Sequence, residues 1–316
     1  MKRDILRKAF AGIMMLLAPS SLFFSALSGC SGASAINSEL SDLGGVYSSR
    51  FSDLDLDEEV SGKLSEGEAA TIVEYSNNLL RWGISRRSNN ETPAADPGAP
   101  ELLKKYASVY IGDTTEQVIY LTFDEGYENG YTPMILDVLK EYDVKAVFFI
   151  TGPYLKSHQD LVRRMVEEGH IVGNHTIHHP SLPQLDDSSL EEEVLGLERA
   201  FKEKFDRNML FLRPPKGEYS ERTLALTQNL GYCNLFWSFA YDDWYRDKIR
   251  GAQYAYDIVM RNLHNGAVLL LHAVSKDNAQ ALESIIKGAG EKGYSIGDPM
   301  DLLPSQRTGE LNDGEE

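Results

Sequence analysis

The sequence predicts an α/β domain built on parallel strands, and three observations support this fold class. Beyond Glu101, short apolar runs alternate with longer amphipathic stretches at intervals of about 25–35 residues. No internal repeat is visible, which excludes a solenoid or a propeller. Of the 316 residues, 42% are hydrophobic and 25% are charged, which leaves room for one large core or two modest ones. The alternation predicts βαβ units, in either a closed barrel or an open sheet.

Charge and cysteine content narrow the functional class. The formal net charge is −17, from 48 acidic and 31 basic residues, so a protein that neutralises nucleic-acid phosphates is excluded. Two cysteines cannot form a disulfide framework or a cysteine-rich zinc site. A soluble enzyme or a binding domain remains, with no nucleic-acid partner. Nothing in the sequence fixes the oligomeric state.

Residues 1–30 have the layout of a lipoprotein-type signal peptide. Four basic residues precede an uncharged, mostly apolar stretch, and the segment Leu27–Cys30 resembles the lipobox of bacterial lipoproteins. This predicts lipidation at Cys30 and a membrane partner through an N-terminal lipid anchor. Simple secretion after cleavage at Ala35 and an uncleaved anchor helix remain alternatives. All three interpretations place the rest of the chain outside the cytoplasm, with lipidation placing it on the extracytoplasmic face of the cell membrane.

Composition divides the rest of the chain. Residues 31–67 are rich in Ser, Gly and acids and predict a tether. Residues 68–117 predict a lead-in segment that packs on the main domain, with a short helix over 69–82 and a loop over 88–100. The main domain is predicted over 118–303, followed by an acidic tail over 304–316.

Seven apolar runs within the main domain are strand candidates, the last weaker than the others, and four amphipathic stretches between them predict helices. The strand candidates are Val118–Phe123, Ala146–Ile150, Ile171–Gly173, Leu210–Leu212, Asn234–Phe239, Val268–Leu271 and Tyr294–Ile296. The helix candidates are Leu155–Glu168, Ser189–Phe205, Arg222–Leu230 and Asn278–Lys292.

Ionisable side chains follow most of these strands. In parallel barrels the carboxyl ends of the strands carry the chemistry, so these groups are expected to meet at one end. Carboxylates, histidines and an arginine together are typical of a hydrolytic site. In strand order the residues are Asp124 and Glu125, His175, Arg213, Asp243 with Trp244, and His272.

Three of the seven histidines lie within five residues, at positions 175, 178 and 179. If the segment turns helically, His175 and His179 share a face and can converge on one metal ion. A histidine-rich surface loop is the alternative. The carboxylate pair at another strand end favours a site of two histidines and a carboxylate, with an open position for water.

Five motifs now identify a resemblance. In order along residues 118–303, they are similar to the conserved motifs of the polysaccharide deacetylases, carbohydrate esterase family 4. The segment Thr122–Gly126 resembles TFDDG, His175–Pro180 resembles H-[ST]-x-x-H-P, Arg213–Gly217 resembles R-x-P-x-G, Asp243–Trp244 resembles the end of D-x-x-D-W, and Leu270–His272 resembles L-x-H.

The resemblance is closer to one subgroup, the delta-lactam-biosynthetic de-N-acetylases of spore-forming bacteria. Gly126–Pro133 and His272–Ala279 are similar to segments of that subgroup, as are Trp82–Gly83 and Leu102–Tyr110 upstream. The family implies a distorted (β/α)7–8 barrel and a divalent metal, usually zinc and sometimes cobalt. It also implies hydrolysis of an N-acetyl group on a polymeric amino sugar.

The subgroup implies a more specific substrate, N-acetylmuramic acid in a peptidoglycan strand stripped of its peptide. The freed amine can cyclise onto the lactyl carboxyl group and give the muramic δ-lactam of spore cortex. Two other functions remain open. The first is deacetylation of N-acetylglucosamine in peptidoglycan or chitin-like oligomers. The second is a non-catalytic lipoprotein that binds glycan.

The resemblance also implies a role for each motif residue. His175 and His179 are the expected metal ligands, Asp124 the general base and His272 the general acid. Arg213 is expected to pair with Asp124, and Asp243 to tune Arg213 or His272. The expected substrate contacts are Leu270 against the acetyl methyl, Trp244 as one wall, and Tyr127 and Pro215.

Two positions depart from the family pattern. Glu125 stands where the family has a second Asp as the third metal ligand, and Ala240 stands where D-x-x-D-W has its first Asp. Glu125 is expected either to ligate a shifted metal or to hold a metal-bound water. The identity of the third ligand therefore stays open at this point.

Overall fold

A curled sheet of parallel strands forms the centre of the fold. The computed structural model describes residues 74–87 and 90–304, and within these residues the sheet has seven strands in the order β10-β4-β5-β6-β7-β9, with β11 also on β4. Every neighbouring pair in this sheet is parallel. The strands are β1 (Leu80–Arg81), β2 (Ile84–Ser85), β3 (Ala94–Ala95), β4 (Val118–Glu125), β5 (Ala146–Ile150), β6 (Ile171–Asn174), β7 (Phe211–Leu212), β8 (Glu218–Tyr219), β9 (Cys233–Asn234), β10 (Ala267–His272) and β11 (Ser295–Ile296).

The chain after β9 curls back towards the first strand of the sheet. Phe239 forms a single parallel bridge with Leu269 of β10, and its carbonyl accepts a hydrogen bond of 2.8 Å from the Leu270 N–H. Of the predicted strand Asn234–Phe239, only Asn234 belongs to a strand, β9, and Phe239 reaches the opposite edge of the sheet at β10. The predicted distorted barrel is confirmed, as a curled parallel half-barrel with helices around it.

Successive residues of each strand face opposite sides of the sheet. Tyr120, Phe149 and Val268 belong to a buried cluster on the inner side, whereas Phe123 and Phe148 belong to the larger core between the sheet and the helices. Both sides are buried, so the strands appear in the sequence as continuous apolar runs. The alternation also decides where the polar residues at the strand ends point.

Helices cover the outer side of the sheet. The predicted helix over 155–168 is two helices, because the chain leaves helical geometry at His158. Thr132–Glu141 and Ala252–Asn262 are helices that the sequence analysis did not predict, although Pro133 at the first turn of the former is a helix-start signal. The helices are α1 (Ala99–Lys105), α2 (Thr132–Glu141), α3 (Gly152–Ser157), α4 (Gln159–Glu167), α5 (Asp187–Phe205), α6 (Glu221–Asn229), α7 (Ala252–Asn262) and α8 (Lys276–Glu291).

The lead-in segment is extended where a helix was predicted. Within the described part, residues 74–82 contain no helix, and β1 pairs antiparallel with β8 instead. Trp82 explains the difference, because its backbone N–H donates to the Gly217 carbonyl and its indole N–H donates to the Trp237 carbonyl, both at 2.8 Å. The predicted loop over 88–100 contains β3 and the start of α1.

Several predictions concern residues that the structure does not describe. The signal peptide over 1–30 with Cys30, the tether over 31–67 and the acidic tail beyond residue 304 lie outside the described residues. In residues 74–87 and 90–304, no helix is both long enough and apolar enough to cross a membrane.

Candidate active site

A cavity of about 860 Å³ lies at the carboxyl ends of the parallel strands. The predicted polar residues meet there, as the position of active sites in parallel barrels leads one to expect. Its lining includes Asp124, His175, His179, Trp244, Leu270 and His272. Arg213 and Asp243 do not line the cavity but lie behind Asp124 and His272.

A buried ion pair fixes the first carboxylate. Arg213 is fully buried, and its guanidinium donates to Asp124 Oδ1 at 2.7 Å and to Thr122 Oγ1 at 2.9 Å. The Nε–H of the same side chain donates to the Leu235 carbonyl at 2.9 Å, and the guanidinium lies 4.1 Å from the ring centre of Phe149. These contacts fix the orientation of the guanidinium group, which in turn fixes the orientation of the Asp124 carboxylate.

The surroundings of Asp124 keep it ionised. Burial alone would raise the pKa of this carboxyl group, but Arg213, with His175 and His272, outweighs burial and lowers it. Asp124 is therefore an anion at neutral pH, with its second oxygen directed towards His175. A carboxylate in this state can accept a proton.

A second carboxylate fixes His272. Asp243 Oδ1 accepts from the His272 Nδ1–H at 2.7 Å, and Oδ2 accepts from the His272 backbone N–H at 2.9 Å. Asn278 donates to the same Oδ2 at 2.6 Å. Burial alone would lower the pKa of His272, but Asp243, with Asp124, outweighs burial and raises it. His272 is thus poised to carry a proton, with Nε2–H as its free donor.

His175 and His179 come together, although not by a helix. Their ring centres are 4.6 Å apart, and the chain between them turns through left-handed backbone at Thr176 (φ 67°) and His179 (φ 59°). Two polar side chains support the turn, because Asn174 Oδ1 accepts from the Thr176 N–H and Thr176 Oγ1 accepts from the His179 N–H. The helical spacing assumed from the sequence is wrong, yet the two imidazoles converge. His178 is exposed and donates to Glu193.

Both imidazoles are neutral at neutral pH. Burial is the main cause that lowers the pKa of His175, and burial with His175 lowers the pKa of His179 to about 4. The His175 Nδ1–H donates to the Arg213 carbonyl at 2.8 Å, so its Nε2 lone pair is free and lies 3.5 Å from Asp124 Oδ2. A carbonyl partner behind one ring nitrogen is typical of metal-binding histidines.

Glu125 does not join this pair. It follows Asp124 in β4, and strand alternation sends its side chain to the helix-facing side, where it is fully buried. Neither carboxyl oxygen accepts a hydrogen bond from the described residues, and the hydroxyls of Thr132 and Tyr154 donate to Glu128 instead. Burial, with the charges of Glu128 and Asp124, raises the pKa of Glu125 well above its usual value. The predicted ligand set of His175, His179 and Glu125 is therefore not assembled.

The residues present fit a divalent metal in part. His175 and His179 supply two neutral imidazoles at the cavity, which suits zinc. Across residues 74–87 and 90–304, no group of three His, Cys, Asp or Glu side chains is arranged to hold a metal. Two candidate ligands thus face the cavity, and Glu125 does not join them.

The predicted substrate contacts are partly in place. Trp244 is 44% exposed, and its ring centre lies 5.7 Å from that of His272. The Tyr127 hydroxyl donates to the Trp244 carbonyl at 3.1 Å, and Leu270 lines the floor of the cavity. Pro215 is buried and does not line the cavity, because the turn presents the preceding proline, Pro214, instead.

The sequence analysis did not single out two further lining residues, Lys216 and Trp237. Lys216 lies inside the R-x-P-x-G motif, so its position beside Arg213 could have indicated it. Trp237 follows β9 in the segment that curls across the sheet, and no motif marks it. Ala240, at the position of the missing Asp, also lines the cavity, and its carbonyl accepts from Arg86.

Comparison with known proteins gives consistent matches. A family model described as polysaccharide deacetylase matches residues 111–235. The peptidoglycan-N-acetylmuramic acid deacetylase PdaA of Bacillus subtilis is 42% identical over 241 residues, which cover 76% of this chain and 92% of that protein. Its solved structure, described as a family 4 carbohydrate esterase, matches with a TM-score of 0.71 over 72% of this chain and 98% of that chain.

Two other proteins are also similar. The structure of a family 4 carbohydrate esterase from Bacillus anthracis is 44% identical, with a TM-score of 0.62 over 73% of this chain and 98% of that chain. A peptidoglycan-N-acetylglucosamine deacetylase of Bacillus cereus is 32% identical over 193 residues, which cover 60% of this chain and 89% of that protein.

The position of Glu125 leads to a prediction about metal binding. Glu125→Gln keeps the affinity for zinc within about twofold, whereas His175→Gln lowers it about 100-fold or more, because only the histidine faces the cavity. Calorimetric titration of the purified protein with zinc measures both. A loss of zinc affinity in a folded Glu125→Gln variant would show that Glu125 is a ligand after all.

Thermal unfolding without metal provides the control for folding. A carboxyl group with a raised pKa keeps its proton in the folded chain but loses it in the unfolded chain as the pH rises above about 4.5, so stability falls with increasing pH. Glutamine has no such proton to lose. The Glu125→Gln variant is therefore expected to be more stable than the wild type at pH 8, with the difference disappearing towards pH 4.

Proposed function

The chain belongs to the polysaccharide deacetylase family, and on this basis we propose that it hydrolyses the N-acetyl group of N-acetylmuramic acid in peptidoglycan. The central observation is that one cavity holds an ionised carboxylate, Asp124, and a histidine poised to be protonated, His272. Two titratable groups whose pKa values are pushed apart provide a base and an acid at the same pH. Amide hydrolysis needs both.

Asp124 is the general base of the proposed reaction. Hydrolysis requires a water molecule to lose a proton as it attacks the acetyl carbonyl, and Asp124 is the anionic group that can take it. Arg213 lies behind Asp124 and does not line the cavity, so its part is to keep the carboxylate ionised and oriented. Thr122 in turn holds the guanidinium.

His272 is the general acid. The amine of the sugar is a poor leaving group until its nitrogen gains a proton. The Nε2–H of His272 can supply that proton. Asp243 orients the imidazole through Nδ1 and favours its protonated form. Leu270 packs against the acetyl methyl group, and Trp244 forms a wall beside His272.

Polysaccharide deacetylases are metal-dependent in general, and we propose zinc, with cobalt as a substitute, for this chain. His175 and His179 would hold the metal through neutral imidazoles. Such a metal supplies polarisation of the acetyl carbonyl and a lower pKa for water. The protein's own contribution is to bury His175 and to fix the orientation of its ring through the hydrogen bond to the Arg213 carbonyl.

The choice of sugar rests on relatives. The relative whose name specifies N-acetylmuramic acid is 42% identical, and the match covers 92% of that protein. The relative whose name specifies N-acetylglucosamine is 32% identical, and the match covers 89% of that protein. We therefore propose muramic acid, whose freed amine lies beside a lactyl carboxyl group and can close to the δ-lactam of spore cortex. The base and acid pair argues against a protein that only binds glycan.

We also propose that the enzyme is anchored outside the cytoplasm. Residues 1–30 carry the lipobox-like segment Leu27–Cys30, and peptidoglycan lies on that side of the membrane. Lipid attached at Cys30 would hold the catalytic domain near its polymer. This proposal rests on sequence alone.

Acetate release tests the proposed reaction. Purified protein with zinc is expected to release acetate from peptide-stripped peptidoglycan, and Asp124→Asn is expected to lower kcat/KM about 10²–10⁴-fold, the range for losing a general base. Asp301→Asn, which removes an exposed carboxylate next to β11, is the matched control and should keep full activity. Mass spectrometry identifies the deacetylated sugar. Absence of acetate from every glycan contradicts the proposal, and acetate from N-acetylglucosamine alone contradicts the choice of sugar.

The pH profile tests the acid. Since Asp243 raises the pKa of His272, the basic limb of kcat/KM, where the imidazolium loses its proton, moves to lower pH in Asp243→Asn. Activity on the acidic side of the optimum should fall less than activity at pH 8. A variant whose basic limb stays in place would show that another group supplies the proton.

Fatty-acid labelling tests the anchor. Cells grown with a radiolabelled or alkyne-tagged fatty acid are expected to label the wild-type chain in the membrane fraction and to leave Cys30→Ala unlabelled. Cys233→Ala, which changes the buried cysteine of the domain, is the matched control and should label normally. Equal labelling of Cys30→Ala and the wild type is the result that overturns the assignment.

A further inference from the structure

We propose that Lys216 binds the lactyl carboxylate of muramic acid and selects this sugar over N-acetylglucosamine. This inference deepens the proposed function and rests on it. Lys216 lines the cavity that holds Asp124 and His272, and among the described lining residues it is the only lysine or arginine. N-acetylmuramic acid differs from N-acetylglucosamine by a lactyl ether, which brings one negative charge.

The carboxylates around the cavity form their ion pairs with cations other than Lys216. Asp124 is paired with Arg213, and Asp242 is paired with Arg250 at 2.8 Å and with Lys248. Lys216 is exposed and forms no ion pair within the part of the chain that the structure describes; its charge acts on Glu218, but that carboxylate is paired with Arg81 at 3.1 Å. In a chain with a formal charge of −17, a free ammonium group at the cavity rim is a local exception. It matches an anionic substituent on the ligand.

The backbone at Lys216 is held in an unfavourable conformation. Its φ is 61° and its ψ is 8°, in the left-handed region that is unfavourable for a residue with a side chain. The next residue, Gly217, also has a positive φ. Strain of this kind persists where the surroundings impose it, and it concentrates at functional sites. Here it turns a lysine side chain out of an otherwise buried segment.

The surroundings that impose the turn are two tryptophans. Trp82 donates its backbone N–H to the Gly217 carbonyl at 2.8 Å, and a Cβ at Gly217 would lie 2.8 Å from the ring of Trp237. The same two tryptophans are joined by the hydrogen bond from the Trp82 indole to the Trp237 carbonyl. Pro214, Pro215 and Gly217 are buried, and Lys216 alone of this turn is exposed. The backbone that carries Lys216 is therefore fixed by buried neighbours, while its ammonium group is exposed at the rim of the cavity.

The chemistry of the sugar places its carboxylate within reach. The acetamido group and the lactyl ether are on adjacent ring carbons, so a sugar with its acetyl group between Asp124 and His272 has its carboxylate a few bonds away at the rim. Lys216 is three residues from Arg213, which holds Asp124. A point charge on a flexible stem suits a carboxylate that rotates about an ether bond.

Matched substrates test this assignment. The first is peptide-stripped peptidoglycan with free lactyl carboxylates, and the second is the same glycan with those groups reduced to alcohols. The wild type is expected to prefer the carboxylate form about tenfold in kcat/KM at low salt, mainly through KM. Lys216→Gln should lose about tenfold on the carboxylate form and change little on the alcohol form. Lys216→Arg should keep most of the preference.

Lys287→Gln is the control for charge. It removes an exposed cation from α8, outside the cavity lining. The control is expected to keep the preference, and thermal unfolding should show that all variants fold.

Three results would overturn the inference, and they are distinguishable. If Lys216→Gln lowers kcat/KM equally on both glycans, the lysine has a structural role and does not recognise the carboxylate. Equal rates of the wild type on both glycans show that the carboxylate is not recognised, while the deacetylase itself stands. No acetate from either glycan with the wild type overturns the proposed function and this inference with it.

Discussion

The buried guanidinium of Arg213 is the constraint on which the site depends. Its side chain binds Asp124 and Thr122 of β4 and the carbonyl groups of Leu235 and Phe236, while its own carbonyl accepts from His175. A buried charge that loses its partner costs about 3–5 kcal/mol, so the strand ends must meet in the right register for this residue to be tolerated. The register that satisfies Arg213 also brings Asp124 and His175 to one place.

Asp124 and His272 have buried partners of opposite charge. Burial disfavours the charged form of both groups. In each case the partner behind the group, a cation for Asp124 and an anion for His272, outweighs burial and favours the charged form. Neither Arg213 nor Asp243 lines the cavity. The pKa values of these two groups at the surface of the cavity are thus set largely by residues one layer below it.

The sequence was sufficient for most of the sheet and for the residues at its edge. Runs such as Ala146–Ile150 are apolar on both sides and bounded by polar residues, so their limits are visible without coordinates. The direction of Glu125 was not visible in the motif, because the resemblance carries over a position and not the side of β4 that the position faces. The extended lead-in was missed for another reason. Trp82 is held by hydrogen bonds to Gly217 and Trp237, and a local pattern contains no information about partners so distant in the chain.

The contact between Trp82 and Trp237 also has a consequence for the order in which the molecule is completed. These residues are separated by 155 positions, and contacts of such separation require a large loop to close before they gain any stabilisation. Strands β4, β5, β6, β7 and β9 can pair progressively as the chain emerges, each with a neighbour nearby in the sequence, whereas β10 and β11 pair with β4 only after most of the domain has followed. The turn at Lys216 cannot be completed in this way, since Trp82 and Trp237, which contact it, are far apart in the sequence. An emerging chain would thus hold several paired strands while the turn at Lys216 was unformed, and the turn would be completed only after residue 237 had followed.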